Sequence, residues 1–324
     1  MEQYTIGIDV GGTKTAYGVL DGRKNIVARL NHPSDASCSP GAFFDRIAAN
    51  IRDLMAANRL QQGDVRGIGV GVPSFVLFEE GRIIKTSNLA NLRDFPARAY
   101  LSEKLGGIRV ILDNDAHAAA LAEHRLGAGR GFDNLLYCPV STGVSSAVII
   151  DGRIFRGSYG WSGESGHMIM TPDDGVECGC GNRGCVMSWC SGSMIAKHVK
   201  NWIDAGEKSC IPEFAGGGEI SCLHIEQAYN AGDALARRAV AQMIKYLGVW
   251  TYNLYVTFNI NCFIFGGGLL KMWRNLKDNG KGGNLLESMK DVFDRYNKNS
   301  MPVYFKEAEL GDDFGVIGAA ELLF

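Results

Sequence analysis

Short apolar runs of strand-forming residues alternate along the chain with segments in which apolar residues recur every three or four positions. The first run, Tyr4–Val10, is followed by Gly11-Gly12-Thr13-Lys14 and then by the apolar run Thr15–Leu20. Two strand-like runs joined by a short glycine-rich segment predict a β-hairpin. Ser39-Pro40 then precedes apolar residues at helical spacing, which predicts a helix capped by the serine with proline in its first turn.

The remainder of the chain continues the alternation of strands and helices. Buried strands are predicted at 66–73, 109–112 and 261–265, and helices at 116–126, 228–254 and 313–323. A glycine-rich loop is expected at Gly280–Asn284. Strands that alternate with helices are typical of an α/β protein.

One stretch of the pattern is repeated. Residues 136–152 follow the layout of residues 6–22: an apolar strand, a small-residue turn containing threonine, a second apolar strand, and Asp-Gly. The repeat has two interpretations, chance similarity of two hairpins or duplication of one domain. Duplication would give two related domains whose small-residue turns both contact the same nucleotide.

Composition narrows the class of protein. The 324 residues are enough for about two domains and a sizeable core. The formal net charge of −2 argues against an electrostatic nucleic-acid binder, and no apolar run is long enough to cross a membrane. The 42 glycines cluster in short turns, which suggests backbone brought close to a ligand. Nine cysteines without an export signal indicate reduced thiols and a cytoplasmic protein with no membrane partner.

The first candidate site is the hairpin turn. Glycines at Gly11 and Gly12 allow backbone N–H groups to approach phosphate oxygens, and Thr13 and Lys14 add donors. Asp9 can hold hydrated Mg²⁺. The simpler interpretation is an ordinary tight turn.

The second candidate is Asp113-Asn114-Asp115, between a predicted strand and a predicted helix. Ligand sites in α/β proteins lie beyond the carboxyl ends of strands, and a carboxylate there can accept a proton from a substrate hydroxyl. Asp115 could instead merely cap the helix.

The third candidate is a cluster of metal-binding residues. Four residues lie within 19 positions and among glycines, namely His167, Cys178, Cys180 and Cys185. They match a structural zinc site with three cysteines and one histidine, with Cys190 as a competing ligand. Scattered buried thiols are the alternative.

Two weaker signals complete the set of candidates. Glu164, three residues before His167, could address a ligand together with the other ring nitrogen of a zinc-bound histidine, or could be a solvated charge. The glycine triplet Gly266, Gly267 and Gly268 follows a predicted strand and permits close approach of an adenosine.

Six segments of the chain resemble the motifs of one family and occur in the same order as in that family. They are DVGGTK, GVGVP, LDNDAHAAALAE, SGESGHM, CGCGNRGC and FGGG. They resemble the ROK (repressor, open reading frame, kinase) family of sugar kinases, across essentially the whole chain. The resemblance implies a duplicated actin-like ATPase fold, ribonuclease H-like, with two α/β domains around a cleft. The expected domains are 1–115 with about 307–324, and 116–306.

The resemblance also implies residue roles in an ATP-dependent hexose kinase. Asp115 would be the general base and would contact the sugar with Asn114, while Glu164 and His167 would bind sugar hydroxyls. The phosphates would lie between the turn at Gly11–Lys14 and the turn at Thr142 and Gly143. The implied cofactors are ATP, Mg²⁺ and structural Zn²⁺. The expected reaction is phosphorylation of a terminal hydroxyl, at C6, by a glucokinase-like homodimer that binds no nucleic acid.

The chain departs from the family pattern at the second turn and in the sugar site. Ser141, Ser145 and Ser146 lie in and beside a turn that the family fills with glycines, and Ser74 follows the proline of GVP. Met187 stands where the family has a sugar-binding glutamate, and Glu177 is the nearest acid in sequence that could replace it. A non-catalytic sugar-binding regulator is the alternative function, although the repressors carry a DNA-binding segment before the first hairpin, which here starts at residue 4.

Overall fold

A computed structural model describes residues 3–35, 37–86, 89, 91–272, 274, 276 and 284–324, with the backbone alone at 271–272. Residues 280–283 of the expected glycine-rich loop lie outside this set.

The described residues form strands and helices in alternation. The strands are β1 (Tyr4–Val10), β2 (Lys14–Leu20), β3 (Ile26–Pro33), β4 (Val65–Val72), β5 (Ser74–Leu77), β6 (Arg82–Thr86), β7 (Val110–Asn114), β8 (Leu135–Pro139), β9 (Ala147–Ile150), β10 (Arg153–Ile154), β11 (Cys262–Gly266) and β12 (Tyr304–Glu307). The α-helices are α1 (Pro40–Ala57), α2 (Ala97–Lys104), α3 (Asp115–Leu126), α4 (Val186–Cys190), α5 (Gly192–Asp204), α6 (Ile211–Ala215), α7 (Cys222–Asn230), α8 (Ala234–Phe258), α9 (Gly268–Met272), α10 (Leu285–Tyr296) and α11 (Phe314–Glu321).

The first hairpin and the helix after it confirm the sequence prediction. β1 pairs antiparallel with β2, with Asp9 opposite Ala16. Ser39 caps α1, and its side chain accepts a hydrogen bond from the backbone N–H of Ala42 at 3.3 Å. The apolar face of α1 is buried in the first core, where Phe44 and Ile51 are fully buried.

The two larger sheets repeat one topology. The first has the order β3-β2-β1-β4-β7 and the second β10-β9-β8-β11-β12. If the strands of each sheet are numbered along the chain, both orders read third, second, first, fourth, fifth. In both, the last two strands run parallel to their inner neighbours. β5 and β6 form a separate two-stranded hairpin that is inserted, in sequence, between β4 and β7. The repeated topology favours duplication over chance for the sequence repeat.

Contacts divide the chain into two compact units. The first unit comprises residues 1–133, 147–162 and 309–324, and the second comprises 134–146 and 163–308. The domain boundaries expected from sequence, after residue 115 and near residue 307, stay a prediction.

Several strand glycines have a different role from the one that composition suggested. Gly7 on β1 and Gly69 on β4 face the backbone carbonyls of Val316 and Ala319 on α11, too close for any β-carbon. These glycines therefore bring a helix, and not a ligand, against the first sheet. The ligand interpretation concerns glycines in short turns, and these strand glycines have a different role, in packing.

The long helix predicted at 228–254 is interrupted. α7 ends at Asn230, Gly232 has a φ of +89°, and α8 begins after Asp233. The Asp233 carboxylate accepts a hydrogen bond from the N–H of Ala236 at 2.8 Å and so caps the new helix. The prediction missed this break because it weighed apolar spacing above the cap.

In the described part of the chain, no helix combines the length and the apolar run that crossing a bilayer requires.

Candidate functional site

The turn between β1 and β2 is tightly closed. The N–H of Gly11 donates to the carbonyl of Lys14 at 2.9 Å, and a β-carbon on Gly11 would lie 2.8 Å from that same oxygen. Glycine is therefore required at this position. Thr13 and Lys14 are exposed, so the turn presents a hydroxyl and an ammonium group to solvent.

Asp9 lies just before this turn, at the end of β1. Burial raises the pKa of Asp9 to about 6, the charge of Asp115 adds to the increase, and Lys14 opposes it. The carboxylate packs directly against the α-carbon of Gly315 in the first turn of α11. Asp9 and Asp115, far apart in sequence, are thus close enough to interact electrostatically. Two acids beside one lysine fit a site for a divalent cation.

Asn114 and Asp115 mark the junction of β7 and α3. The helix cap is Asn114, because its Oδ1 accepts the N–H groups of Ala116 at 2.8 Å and of His117 at 3.4 Å. Its Nδ2 donates to the carbonyl of Ser74 at 3.2 Å. Asn114 therefore fills the capping role that sequence reasoning considered for Asp115.

Because Asn114 caps α3, the Asp115 carboxylate is available to act on a substrate. It accepts a hydrogen bond from the N–H of Ala116 at 2.9 Å. Burial raises its pKa above the usual range, while that hydrogen bond and the nearby His117 oppose the increase. A buried carboxylate with a raised pKa is a stronger proton acceptor than an exposed aspartate, as a general base requires.

Behind Asp115 lies a buried network that sequence reasoning missed. Asp113 is fully buried; its Oδ1 lies 2.9 Å from Nδ1 of His117, and its Oδ2 accepts from Nε and a terminal nitrogen of Arg156, each at 2.9 Å. These partners hold the pKa of Asp113 below its usual range despite burial. The i,i+4 spacing of Asp113 and His117 was a readable signal, but nothing in the sequence singled out Arg156.

The predicted zinc residues form a cluster in the second unit. One ligand atom from each of His167, Cys178, Cys180 and Cys185 lies within 4.8 Å of all the others. Nδ1 of His167 is 3.6 Å from Sγ of Cys178, and Sγ of Cys180 is 3.7 Å from Sγ of Cys185. A tetrahedral zinc with bonds of about 2.3 Å to sulfur and about 2.0 Å to nitrogen gives distances between ligand atoms of about 3.5 to 3.8 Å.

The donor set therefore fits Zn²⁺, and the electrostatics of the three thiols also favour a cation at this place. Burial and the neighbouring thiols of Cys178 and Cys180 raise the pKa of Cys185 to about 12. Three thiolates at this spacing need a cation between them. Cys190, the competing ligand, instead donates from its thiol to the carbonyl of Val186 at 3.2 Å.

Glu164 and His167 are neighbours on one short turn. Ser165–His167 form a single 3₁₀ turn, and Nε2 of His167 lies 3.9 Å from a carboxylate oxygen of Glu164. Both side chains are half-buried. The imidazole thus directs Nδ1 to the thiol cluster and Nε2 to Glu164, so a metal on one nitrogen would leave the other for a hydroxyl.

The second turn and the glycine triplet come together in the second unit. The N–H of Val140 donates to the carbonyl of Gly266 at 2.8 Å, and Gly267, with a φ of +100°, packs against Val140. Thr142 is exposed and Gly143 half-buried. The predicted nucleotide-binding residues of this unit are therefore neighbours.

The start of α5 supports the second turn, which sequence reasoning did not anticipate. The N–H of Gly192 donates to the carbonyl of Ser141, and the hydroxyl of Ser193 to the carbonyl of Thr142, each at 2.8 Å. The hydroxyl of Ser146 faces inward, 2.7 Å from the hydroxyl of Ser165. Ser146 thus ties the second turn to the loop that carries Glu164 and His167.

Met187 lies where this turn meets the metal-binding loop. Its terminal methyl carbon is 3.6 Å from the point where a β-carbon on Gly143 would lie, and its own β-carbon is equally close to that point on Gly166. Met187 is half-buried and gives this surface an apolar wall. Glu177 is exposed and sits on a β-bridge opposite Arg183.

Comparison with known proteins defines the class. The family model described as "ROK family" matches residues 5–324, and the chain belongs to the ROK family. It is similar to a glucokinase of Halalkalibacterium halodurans, with 30% identity over 99% of this chain and 95% of that protein. A ROK family glucokinase from Streptomyces griseus, solved in complex with glucose and AMPPNP, superimposes with a TM-score of 0.78 at 28% identity, covering 98% of each chain. The fold is therefore the duplicated actin-like ATPase fold expected from sequence.

A regulator is also among the relatives. A xylose repressor of Caldicellulosiruptor bescii is 31% identical over 69% of this chain and 54% of its own length. Membership of the family alone thus does not decide between enzyme and regulator.

Proposed function

We propose that the protein is an ATP-dependent sugar kinase that phosphorylates a terminal hydroxyl, the 6-hydroxyl, of a hexose or hexose derivative. The observation that carries the proposal is the state of Asp115. Its side chain is half-buried at the first residue of α3, burial raises its pKa, and Asn114 relieves it of capping α3. The glucokinase relatives support the same activity.

The chemistry divides into proton transfer and charge neutralisation. Asp115 accepts the proton of the sugar hydroxyl while the hydroxyl oxygen bonds to the γ-phosphorus of ATP, and the bond to the bridging oxygen breaks to release ADP. Asp9 would hold hydrated Mg²⁺, which supplies positive charge to the phosphate oxygens. Gly11, Gly12, Thr13 and Lys14 provide backbone and side-chain donors to the same phosphates.

The second unit is proposed to supply recognition. Thr142, Gly143 and the Gly266–Gly268 turn would bind the nucleotide, with Gly192 and Ser193 supporting the turn at Thr142. Glu164 and His167 would contact sugar hydroxyls, and Asn114 is a further proposed sugar ligand. Zinc on His167, Cys178, Cys180 and Cys185 would shape this loop as a closed structural site, because all four positions are occupied by protein ligands.

A coupled ADP-release assay over a panel of hexoses and N-acylhexosamines tests the proposal. We expect ATP- and Mg²⁺-dependent ADP release with at least one sugar and none without sugar. Asp133→Asn, an exposed acid of the same unit, is the matched control for Asp115→Asn and should keep full activity. Absence of sugar-dependent ADP release from zinc-loaded, folded protein would contradict the proposal.

The alternative is a sugar-binding regulator without turnover, which the similarity to the xylose repressor favours. The retention of Asp115 and of the first turn opposes it. Sugar binding measured by calorimetry on the same preparation separates the two, since a regulator binds sugar and releases no ADP. A cytoplasmic location and a homodimer remain predictions, and sedimentation analysis measures the second.

A further inference from the structure

Three aromatic rings form an exposed cluster in the first unit. The rings of Phe75 and Trp161 meet edge to face with centroids 5.4 Å apart, and Tyr159 lies 5.6 Å from Trp161. Tyr159 is 67% exposed and Trp161 37%. Large rings are normally buried, and contiguous exposed apolar surface marks a place where something binds. We call Phe75, Tyr159 and Trp161 the aromatic platform.

The segment that carries two of these rings is fixed at both ends. Arg156 makes its two-nitrogen contact with buried Asp113 and stacks on the ring of Phe78 at 3.7 Å. At the other end the carbonyl of Ser162 lies 3.2 Å from Nε2 of His117, and the N–H of Ser162 donates to the carbonyl of Arg156 at 3.1 Å.

The middle of the segment is equally constrained. Gly160, between the two rings in sequence, has a φ of +87°, and a β-carbon there would lie 2.6 Å from the carbonyl of Val76 on β5. Only glycine fits this backbone against β5. Rings held in this way lose little conformational entropy when a ligand stacks on them, which favours binding.

The platform lies beside the residues proposed to act on the sugar. Phe75 follows Ser74, whose carbonyl accepts the amide N–H of Asn114, the residue next to Asp115. The network that anchors Trp161 through Ser162 is built on Asp113 and His117, on either side of Asp115 in sequence. Nζ of Lys85 lies over the ring of Phe75, 4.8 Å from its centroid. The same backbone thus carries the general base and the exposed rings.

We propose that the aromatic platform is a stacking subsite for a second ring on the sugar, so that the substrate class is a hexose glycoside or disaccharide rather than a free hexose. Apolar faces of sugar rings and aryl groups pack on aromatic side chains, whereas a lone hexose engaged through its hydroxyls would leave the platform exposed. This inference rests on the proposed kinase function and specifies its substrate class.

The test compares glucose with phenyl α-glucoside and phenyl β-glucoside, which differ from it by one ring. In the ADP-release assay we expect one anomer to have a KM about tenfold below that of glucose, the size of effect that one well-stacked ring supports. Trp161→Ala should remove this advantage and leave the KM for glucose within about twofold of the wild type. Trp161→Phe should retain most of it, because a ring remains.

The control is Phe155→Ala, on the same segment, 44% exposed and outside the platform; it should keep the preference for the glucoside. The inference is overturned if glucose is the better substrate than both glucosides, or if Trp161→Ala changes the KM of glucose and glucoside equally. If no sugar releases ADP, the kinase proposal fails separately. Calorimetric binding of phenyl glucoside without ATP, weakened by Trp161→Ala and not by Phe155→Ala, then still decides whether the platform binds a ring.

Discussion

The two halves of the molecule use the same strand order with different chemistry at the corresponding turns. The first turn has Asp9 before it and Lys14 at its end, and both are charged groups of the candidate site. At the corresponding positions, 130 residues later, the second half has Pro139 and the buried Val144. Its turn offers hydroxyls and backbone groups, and it is supported by α5 and by the Gly266 turn.

The two halves therefore share an arrangement of strands but not the residues suited to chemistry. The first unit has the carboxylates suited to proton and cation chemistry. The second has a thiol cluster, Glu164 and Met187, which are suited to shaping a binding surface. Changes to the carboxylates Asp9 and Asp115 of the first unit should therefore act on turnover, and changes in the second unit on affinity and on the binding loop.

Asp115→Asn should produce the largest effect. The amide is nearly isosteric but cannot accept the hydroxyl proton, so kcat should fall by about 10²–10⁴-fold with sugar binding and fold retained. Burial raises the pKa of Asp115, so this base becomes protonated at a higher pH than an exposed aspartate. On acidification, the wild-type rate should therefore begin to fall at that higher pH. Retention of more than a tenth of wild-type kcat would show that Asp115 is not the base.

Met187→Glu tests the second unit through affinity. If Met187 faces the sugar, a carboxylate there would gain a charge-assisted hydrogen bond, and the KM for glucose should fall by about tenfold to 150-fold. The preferred substrate should not improve. Met187→Leu, which keeps an apolar wall, is the control and should leave glucose kinetics nearly unchanged. Unchanged glucose kinetics in the glutamate variant would mean that Met187 does not contact the sugar.

Cys185→Ser should remove a metal ligand and with it the support that zinc gives to the binding loop. The wild-type protein should contain about one equivalent of zinc, and the variant should lose most of it, with a lower melting temperature and a higher KM for sugar. Cys190→Ser alters a buried thiol five residues away and should keep its zinc. Fully active wild-type protein without zinc by metal analysis would end the zinc assignment.

Asp9→Asn should change stability only modestly, with a distinctive dependence on pH. The pKa of Asp9 in the folded chain, about 6, exceeds the ordinary value of 3.8, so the ionised carboxylate disfavours folding. That cost grows from about pH 4 to about pH 6 and is constant above. The variant should therefore gain a few degrees in melting temperature over the wild type as the pH rises through this window, while losing activity.

A surface acid gives the opposite sign and serves as the comparison for Asp9. Hydrogen bonds from Lys104 and Tyr100 lower the pKa of Asp45, so its contribution is present near neutral pH and is lost on acidification. Asp45→Asn should be slightly less stable than the wild type at pH 7, with the difference closing below about pH 4. A melting-temperature difference for Asp9→Asn that is flat with pH would contradict the raised pKa.

The sequence predicted what depends on local pattern. The first hairpin, the Ser39 cap of α1, the metal-binding residues and the repeat all follow from spacing and residue type within short windows. Arg156 could not be found in this way, because its partner Asp113 lies 43 residues away and only the folded chain joins them. The packing role of a strand glycine such as Gly7 could not be predicted, because its neighbour Val316 on α11 lies 309 positions further along the chain.

The contact between α11 and β1 has a consequence for synthesis of the protein. Val316 lies against Gly7, and Gly315 supports the carboxylate of Asp9. A growing chain on the ribosome therefore makes the strand that carries Asp9 early but receives the helix that covers it only after all of the second unit has been translated. The second unit is complete first, and the site around Asp9 forms last, so nascent chains that lack residues 314–321 should be without kinase activity however well their earlier segments fold.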